Sequence, residues 1–147
     1  MDRGDRRRRA MKAFAASTLA CVVAASPACA GAAAEPFADR LGEFVNRYRA
    51  EHGARALSLA EALSALAREH AARMSRDGRL SHDGFQQRFA KARAPHCVEN
   101  VAASGTPQAT FDAWRDSPTH AHNLLDPQVS RMGIGVDGRY VVFFACG

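Results

Sequence analysis

The chain predicts an α+β domain in which helices come first and a small antiparallel sheet closes the chain. Three observations carry this. Apolar residues recur at helical spacing through residues 37–48 and again through 63–74. Threonine-proline and serine-proline pairs at Thr106-Pro107 and Ser117-Pro118 open two further short helices. Two strand-like runs, Met132 to Val136 and Tyr140 to Ala145, flank Asp137-Gly138, a strong hairpin signal. Helices preceding strands imply a sheet covered by helices rather than a βαβ array.

The elements follow in order. Pro36 suits a first helical position, Phe37, Leu41, Phe44, Val45 and Tyr48 make one stripe, and Gly53 follows as a stop. Ser58-Leu59-Ala60-Glu61 has capping-box spacing and predicts a helix starting there. Its stripe is Leu63, Leu66, Ala67, His70 and Met74, it ends at Gly78, and His70 reads as a hydrogen-bonded core histidine. A polar turn, Ser81-His82-Asp83-Gly84, precedes a short helix from Phe85 to Ala92. Pro95 interrupts, and Cys97 to Ala102 (CVENVA) reads as extended. The Thr106-Pro107 helix carries Phe111 and Trp114, a pair suited to packing on a sheet, and the Ser117-Pro118 helix runs through His120 and Leu124.

With 147 residues, 24% charged and 47% hydrophobic, the composition is that of one ordinary globular domain. No run approaches the roughly 18 to 20 apolar residues that a membrane-spanning helix requires. The net charge of +5 sits mainly at the N-terminus. Six of the 20 Lys+Arg and two of the 15 Asp+Glu lie in the first twelve residues, leaving 14 basic against 13 acidic side chains. A near-neutral remainder excludes nucleic acid as the expected partner.

Residues 1–30 read as a secretory signal peptide: a basic start, the apolar run Ala13 to Ala25, and small residues Ala28 and Ala30 at an A-x-A site. Met11 is an alternative start, the arginine pairs leave twin-arginine export open, and Cys21 and Cys29 lie in poor contexts for a lipid anchor. A short linker, 31–35, then leads into a domain at 36–147, exported to periplasm or medium, with no transmembrane segment once the signal is removed. Export leaves Cys97 and Cys146. In an oxidising compartment such a pair predicts a disulfide, worth roughly 4 kcal/mol in the chain-entropy model, over a reactive Cys97 beside His96.

No HExxH, zinc-finger, P-loop or G-x-S-x-G pattern is present. His120 and His122 are too close along a helix to point the same way. His82 and Glu99 lie in turn or extended segments, where functional groups are commonly presented. Two imidazoles and a carboxylate from separate segments could hold Zn²⁺ with an open position or polarise a water. Local sequence alone leaves a structural hydrogen-bond network as the rival.

The succession of motifs resembles the CAP superfamily (cysteine-rich secretory, antigen 5 and pathogenesis-related proteins, or SCP domains), in its short bacterial secreted branch. FVNRYRAEHGARAL is similar to the opening helix, with Asn46, Arg49 and Gly53 in an N-x-x-R-x-x-x-G pattern. LSALAREHAARM, SHDGFQQRF, ENVA, WRDSPTHAHNLL and MGIGV follow in family order, from about Phe37 to Cys146. The resemblance implies an α-β-α sandwich with a central cleft, lined in many members by two histidines and two acidic residues that can bind a divalent cation. By motif, His82 matches the first histidine, Glu99 the first glutamate and His120 the second histidine, twelve residues before Met132. The second acidic position appears as Ser117, with Asp116 beside it. Losing one carboxylate disfavours Ca²⁺ or Mg²⁺ and leaves Zn²⁺ with two imidazoles as the metal to consider.

Arg88, Asn100, Asn123 and Ser117 are the expected cleft supports, Arg88 through an internal salt bridge and Asn123 by closing a backbone turn. Glu99 could orient an imidazole, accept a proton from water, or cap backbone N–H groups. Three functions follow in order of expectation. The first is a non-catalytic binding module for a small ligand or an envelope or extracellular protein, with a cleft lined by His82, Glu99 and His120 that could hold Zn²⁺ or another divalent cation, or none. The second is a metal-assisted hydrolase of peptide or cell-wall material using Glu99 as general base. The third is a structural envelope protein.

Overall fold

The computed structural model describes residues 35–147, so the signal assigned to 1–30 and all but the last residue of the linker lie outside the described residues. The order is α1 (Glu35–Glu51), β1 (Ser58–Leu59), α2 (Glu61–Asp77), α3 (Phe85–Ala92), β2 (Cys97–Ala103), α4 (Pro107–Arg115), α5 (Pro118–Leu125), β3 (Arg131–Asp137) and β4 (Tyr140–Cys146). Among the described residues no helix is long and apolar enough to cross a membrane.

The strands form one sheet in the order β1-β3-β4-β2. The expected antiparallel arrangement holds for β2, β4 and β3, but β1 pairs parallel to β3, so the sheet is mixed. Strand alternation divides the core. On β4, Val141, Phe143 and Ala145 pack with Leu41, Val45, Phe111, Trp114 and Leu124 from α1, α4 and α5. Val142, Phe144 and Cys146 pack with Leu63, Ala67, Ala71 and Met74 of α2. A strand buried on both faces lies between two helical layers, which is the α-β-α sandwich expected from the motif order.

The helix layer of α2 approaches unusually near because β3 offers glycine where it would meet the helix. A side-chain carbon at Gly133 would lie 2.1 Å from the Leu63 carbonyl carbon, and one at Gly135 2.1 Å from that of Ala67. Backbone therefore packs on backbone, with no flexible side chain able to yield.

The capping box expected at Ser58 and Glu61 does not form. Ser58 lies in β1, its N–H donating to the Ser130 carbonyl at 3.1 Å, while the Ala60 N–H donates to the Met132 carbonyl at 2.8 Å. Pairing with β3 holds this stretch extended, and α2 starts after Ala60, which has no side-chain cap. Glu61 turns instead to Arg68. Thr106 caps α4 as expected, its hydroxyl accepting from the Ala109 N–H at 3.1 Å. Ser117 occupies the same place before α5 but makes no side-chain cap bond. Cys97 and Cys146 face each other across β2 and β4 and are joined by a disulfide.

Gly135→Ala should destabilise the domain by ~3 kcal/mol or more, because overpacking here must displace helix backbone. A urea midpoint unchanged from the parent chain would contradict this packing.

Candidate functional site

Glu99 and Asn100 are polar residues in an otherwise apolar edge strand, and strand alternation sends them to opposite helical layers. Glu99 faces the α2–α3 side, where it meets three cations or potential cations. Arg88 grips it in a fork, Nε donating to Oε2 at 2.7 Å and Nη2 to Oε1 at 2.8 Å. His82 Nδ1 lies 2.9 Å from Oε1, and His70 Nε2 is 3.9 Å from the same oxygen. The Glu99 side chain is 1% exposed and that of Arg88 5%, whereas His82 is 54% exposed.

The loop carrying His82 is fixed from below. Arg88 Nη1 donates to the Asp83 carbonyl at 2.9 Å, and His70 Nε2 lies 2.7 Å from the Ser81 carbonyl. His70 is thus the hydrogen-bonded core histidine that its place on the α2 stripe predicts. The salt bridge expected of Arg88 is present, and its partner is Glu99. Glu99 accepts from side chains rather than from backbone N–H groups, so its capping reading fails.

Asn100 faces the other layer. Its Nδ2 donates to the His120 carbonyl at 3.0 Å. Asn123, expected to close a local turn, instead bridges α5 to β2: its Nδ2 donates to the Glu99 carbonyl at 3.2 Å and to Asn100 Oδ1 at 2.9 Å. A residue whose partners are 23 and 24 positions away leaves no local signal. Trp114 is buried as expected, and its Nε1 donates to the Val101 carbonyl at 3.2 Å, covering another carbonyl of the edge strand.

A cleft of about 320 Å³ opens here, lined by His82, Phe85, Cys97, Val98, Glu99 and Asn123. His120 does not line it. The ring is nevertheless close enough that His82, added to burial, pushes its pKa below the ordinary histidine value. His120 Nδ1 is buried without a partner. Burial, reinforced by the Arg88 charge, likewise holds the His70 pKa low against the bond to Ser81. The missing second acid is not supplied by a neighbour, since Asp116 is exposed and held by Arg115 at 2.8 Å. Phe85 and Cys97 are cleft residues that the motif order did not single out; their signal was proximity in sequence to His82 and Glu99.

Residues 43–146 match the family model of the Cysteine-rich secretory protein family, CAP. The chain belongs to that family. The CAP domain is similar in structure to an extracellular protein containing a SCP domain from Bacillus anthracis, with a TM-score of 0.72 and 22% identity over 76% of this chain. A cysteine-rich secretory protein from Staphylococcus aureus gives 0.69 and 19% over 76%. An outer surface protein from Borrelia burgdorferi gives 0.68 and 18% over 74% of this chain and 90% of its own. The chain spans only 40% and 38% of the first two. At these identities the likeness shows the fold. No curated protein sequence matches the chain.

Arg88→Ala should cost about 3–5 kcal/mol, because it strands a buried carboxylate, while replacing Arg88 and Glu99 together by methionine should cost much less. Equal losses in the two variants, measured by urea unfolding, would contradict the pairing.

Because the folded pKa values of His70 and His120 lie below the unfolded value of about 6.5, the unfolded chain takes up protons first as pH falls. Their contribution is complete above that pH and lost progressively below it. The urea midpoint should fall between pH 7.5 and 5, and His120→Asn should flatten the slope. An unchanged slope would show that His120 is not the group responsible.

Proposed function

We propose that this CAP domain is an exported, non-catalytic binding module whose cleft receives a small ligand or a segment of an envelope or extracellular protein. The condition of Glu99 carries the reading. Both of its oxygens accept charged hydrogen bonds from Arg88, and one also meets His82. To serve as general base, Glu99 would have to take a proton from water while surrendering part of that fork in a site it shares with two histidines. Such a held carboxylate is suited to positioning.

What it positions is His82. With Nδ1 hydrogen bonded to the carboxylate, the neutral ring carries its proton there and leaves Nε2 as a free acceptor. This is the tautomer that binds a borderline metal, and equally the one that accepts a ligand's N–H or O–H.

The donor set decides which metals suit it. Among the described residues no three His, Cys, Asp or Glu side chains come together as a metal-holding group. The single cleft carboxylate is neutralised by Arg88, so Ca²⁺ and Mg²⁺, which need several oxygen ligands, do not fit. His82 and His120 are imidazoles of the kind Zn²⁺ accepts, with the remaining positions left to water or ligand. Export is supported by the leader pattern and by relatives described as extracellular or outer-surface proteins.

Calorimetric titration with Zn²⁺ tests the assignment. His82→Ala and His120→Ala should each weaken binding by about tenfold or more, the loss of one ligand being worth at least ~1.4 kcal/mol. His52→Ala, in the turn that follows α1, should leave it unchanged. The same affinity in all three variants would remove the metal from the cleft. A peptide or cell-wall hydrolysis that Glu99→Gln abolishes would overturn the non-catalytic reading.

A further inference from the structure

Arg88 also lines a second, partly open cavity of about 480 Å³ between α2 and α3. Its charge is lopsided. Arg73, Arg88 and Lys91 face it against one acid, Glu69. Glu69 is shared between Arg73 at 3.4 Å and Lys91 at 3.6 Å, both pairs half-exposed, so neither cation is firmly answered. The guanidinium groups converge on the bare face of Gly84: a side-chain carbon there would lie 2.8 Å from Arg73 Nη1 and 3.3 Å from Arg88 Nη1. Of the five N–H groups of Arg88, Glu99 and the Asp83 carbonyl take three, leaving two.

One buried acceptor belongs to the same lining. His70 is 1% exposed and lines the same cavity. Its Nε2 proton is committed to the Ser81 carbonyl at 2.7 Å, so Nδ1 carries a bare lone pair, buried without a partner. A ligand complementary to this lining needs ionised oxygens for the cations and one hydroxyl proton for His70. A fully deprotonated oxyanion supplies only the first.

We propose that the cavity is a binding site for a phosphate group that retains one proton, either free hydrogenphosphate or a monoprotonated phosphomonoester. The P–OH donates to His70 Nδ1, and the ionised oxygens accept from Arg73, Lys91 and the two unused N–H groups of Arg88. Burial, with the Arg88 charge, holds His70 neutral, which keeps Nδ1 an acceptor near neutral pH. The site uses neither His82 nor His120 and shares with the cleft only Arg88, whose bonds to Glu99 it leaves in place.

The test is a titration of the isotope-labelled full chain with sodium phosphate at pH 7.5 and constant ionic strength, followed by amide chemical shifts. Phosphate should shift α2 and α3 amides saturably, and sulfate, which has no proton to give, should bind about tenfold more weakly or worse. Arg73→Ala with Lys91→Ala should weaken phosphate by about tenfold or more, since charge-assisted hydrogen bonds are lost. Arg76→Ala, an equally basic exposed position on α2 outside the lining, should not. No saturable shift, sulfate equal to phosphate, or an equal loss in Arg76→Ala would each overturn the proposal. Glycerol 3-phosphate separates the sources. An ester loses its second proton near a pKa of about 6, so binding at pH 6 that weakens at 7.5 assigns the site to any protonated phosphate. Absence of ester binding confines it to the free ion.

Discussion

A carboxylate buried in an apolar edge strand obliges its surroundings to answer it, and much of this domain is arranged around that demand. Glu99 is as buried as the core residues beside it, so it is tolerable only with a cation and hydrogen bonds at hand. Arg88 supplies both and thereby fixes α3 against β2. The same guanidinium reaches back to the Asp83 carbonyl, and His70 holds the Ser81 carbonyl, so the loop presenting His82 is secured at both ends. Buried ion pairs are poor sources of net stability compared with apolar side chains of the same size. The structural return here is position: the α2–α3 turn is held at the sheet edge with one imidazole oriented.

The period of two in a strand extends this control to both layers. Glu99 points to the α2–α3 side and Asn100 to α5, where it holds the His120 carbonyl. Asn123 then returns from α5 to the Glu99 carbonyl and to Asn100, tying α5 to the strand edge. An edge strand ordinarily leaves main-chain groups open to another chain. On β2 the carbonyls of Glu99 and Val101 are taken by Asn123 and Trp114, so the polar cleft also protects the sheet edge.

What could be read in advance follows the range of the interactions. The α2 stripe, the Thr106 cap, the β3–β4 hairpin and the short α3 rest on neighbours within a few residues, and all are present. Ser58 and Glu61 carry an equally good local signal for a capping box, but pairing with β3, more than 70 positions away, overrides it. Arg88 was recognisable as one half of an internal ion pair, while its partner across 11 residues was not. Asp116 sits beside the vacant acidic position in sequence, yet Arg115 draws it to the surface. His82, Glu99 and His120 were selected by the order of the family motifs; composition and spacing alone left them scattered. The fold adds a distinction that motif order lacked, since His82 and Glu99 meet directly while His120 approaches from the other layer without lining the cleft.

The two buried side-chain atoms without partners among the described residues sharpen that distinction. They are Nδ1 of His120 and Nδ1 of His70, one on each side of the Glu99–Asn100 step. A buried acceptor left unpaired costs about 1–3 kcal/mol, and native interiors rarely leave such groups without a protein or water partner. Neither atom contributes to the hydrogen-bond network that holds the strand, the loop or the helices, burial lowers the pKa of both rings, and in His70 the Nε2 bond to the Ser81 carbonyl leaves Nδ1 as the acceptor. Each lies beside other polar groups: His70 lines the cavity with Arg73, Arg88 and Lys91, and His120 lies near His82. The fold thus buries one imidazole nitrogen in each helical layer, beside the side chains that line its α2–α3 cavity on one side and near His82 of the cleft on the other.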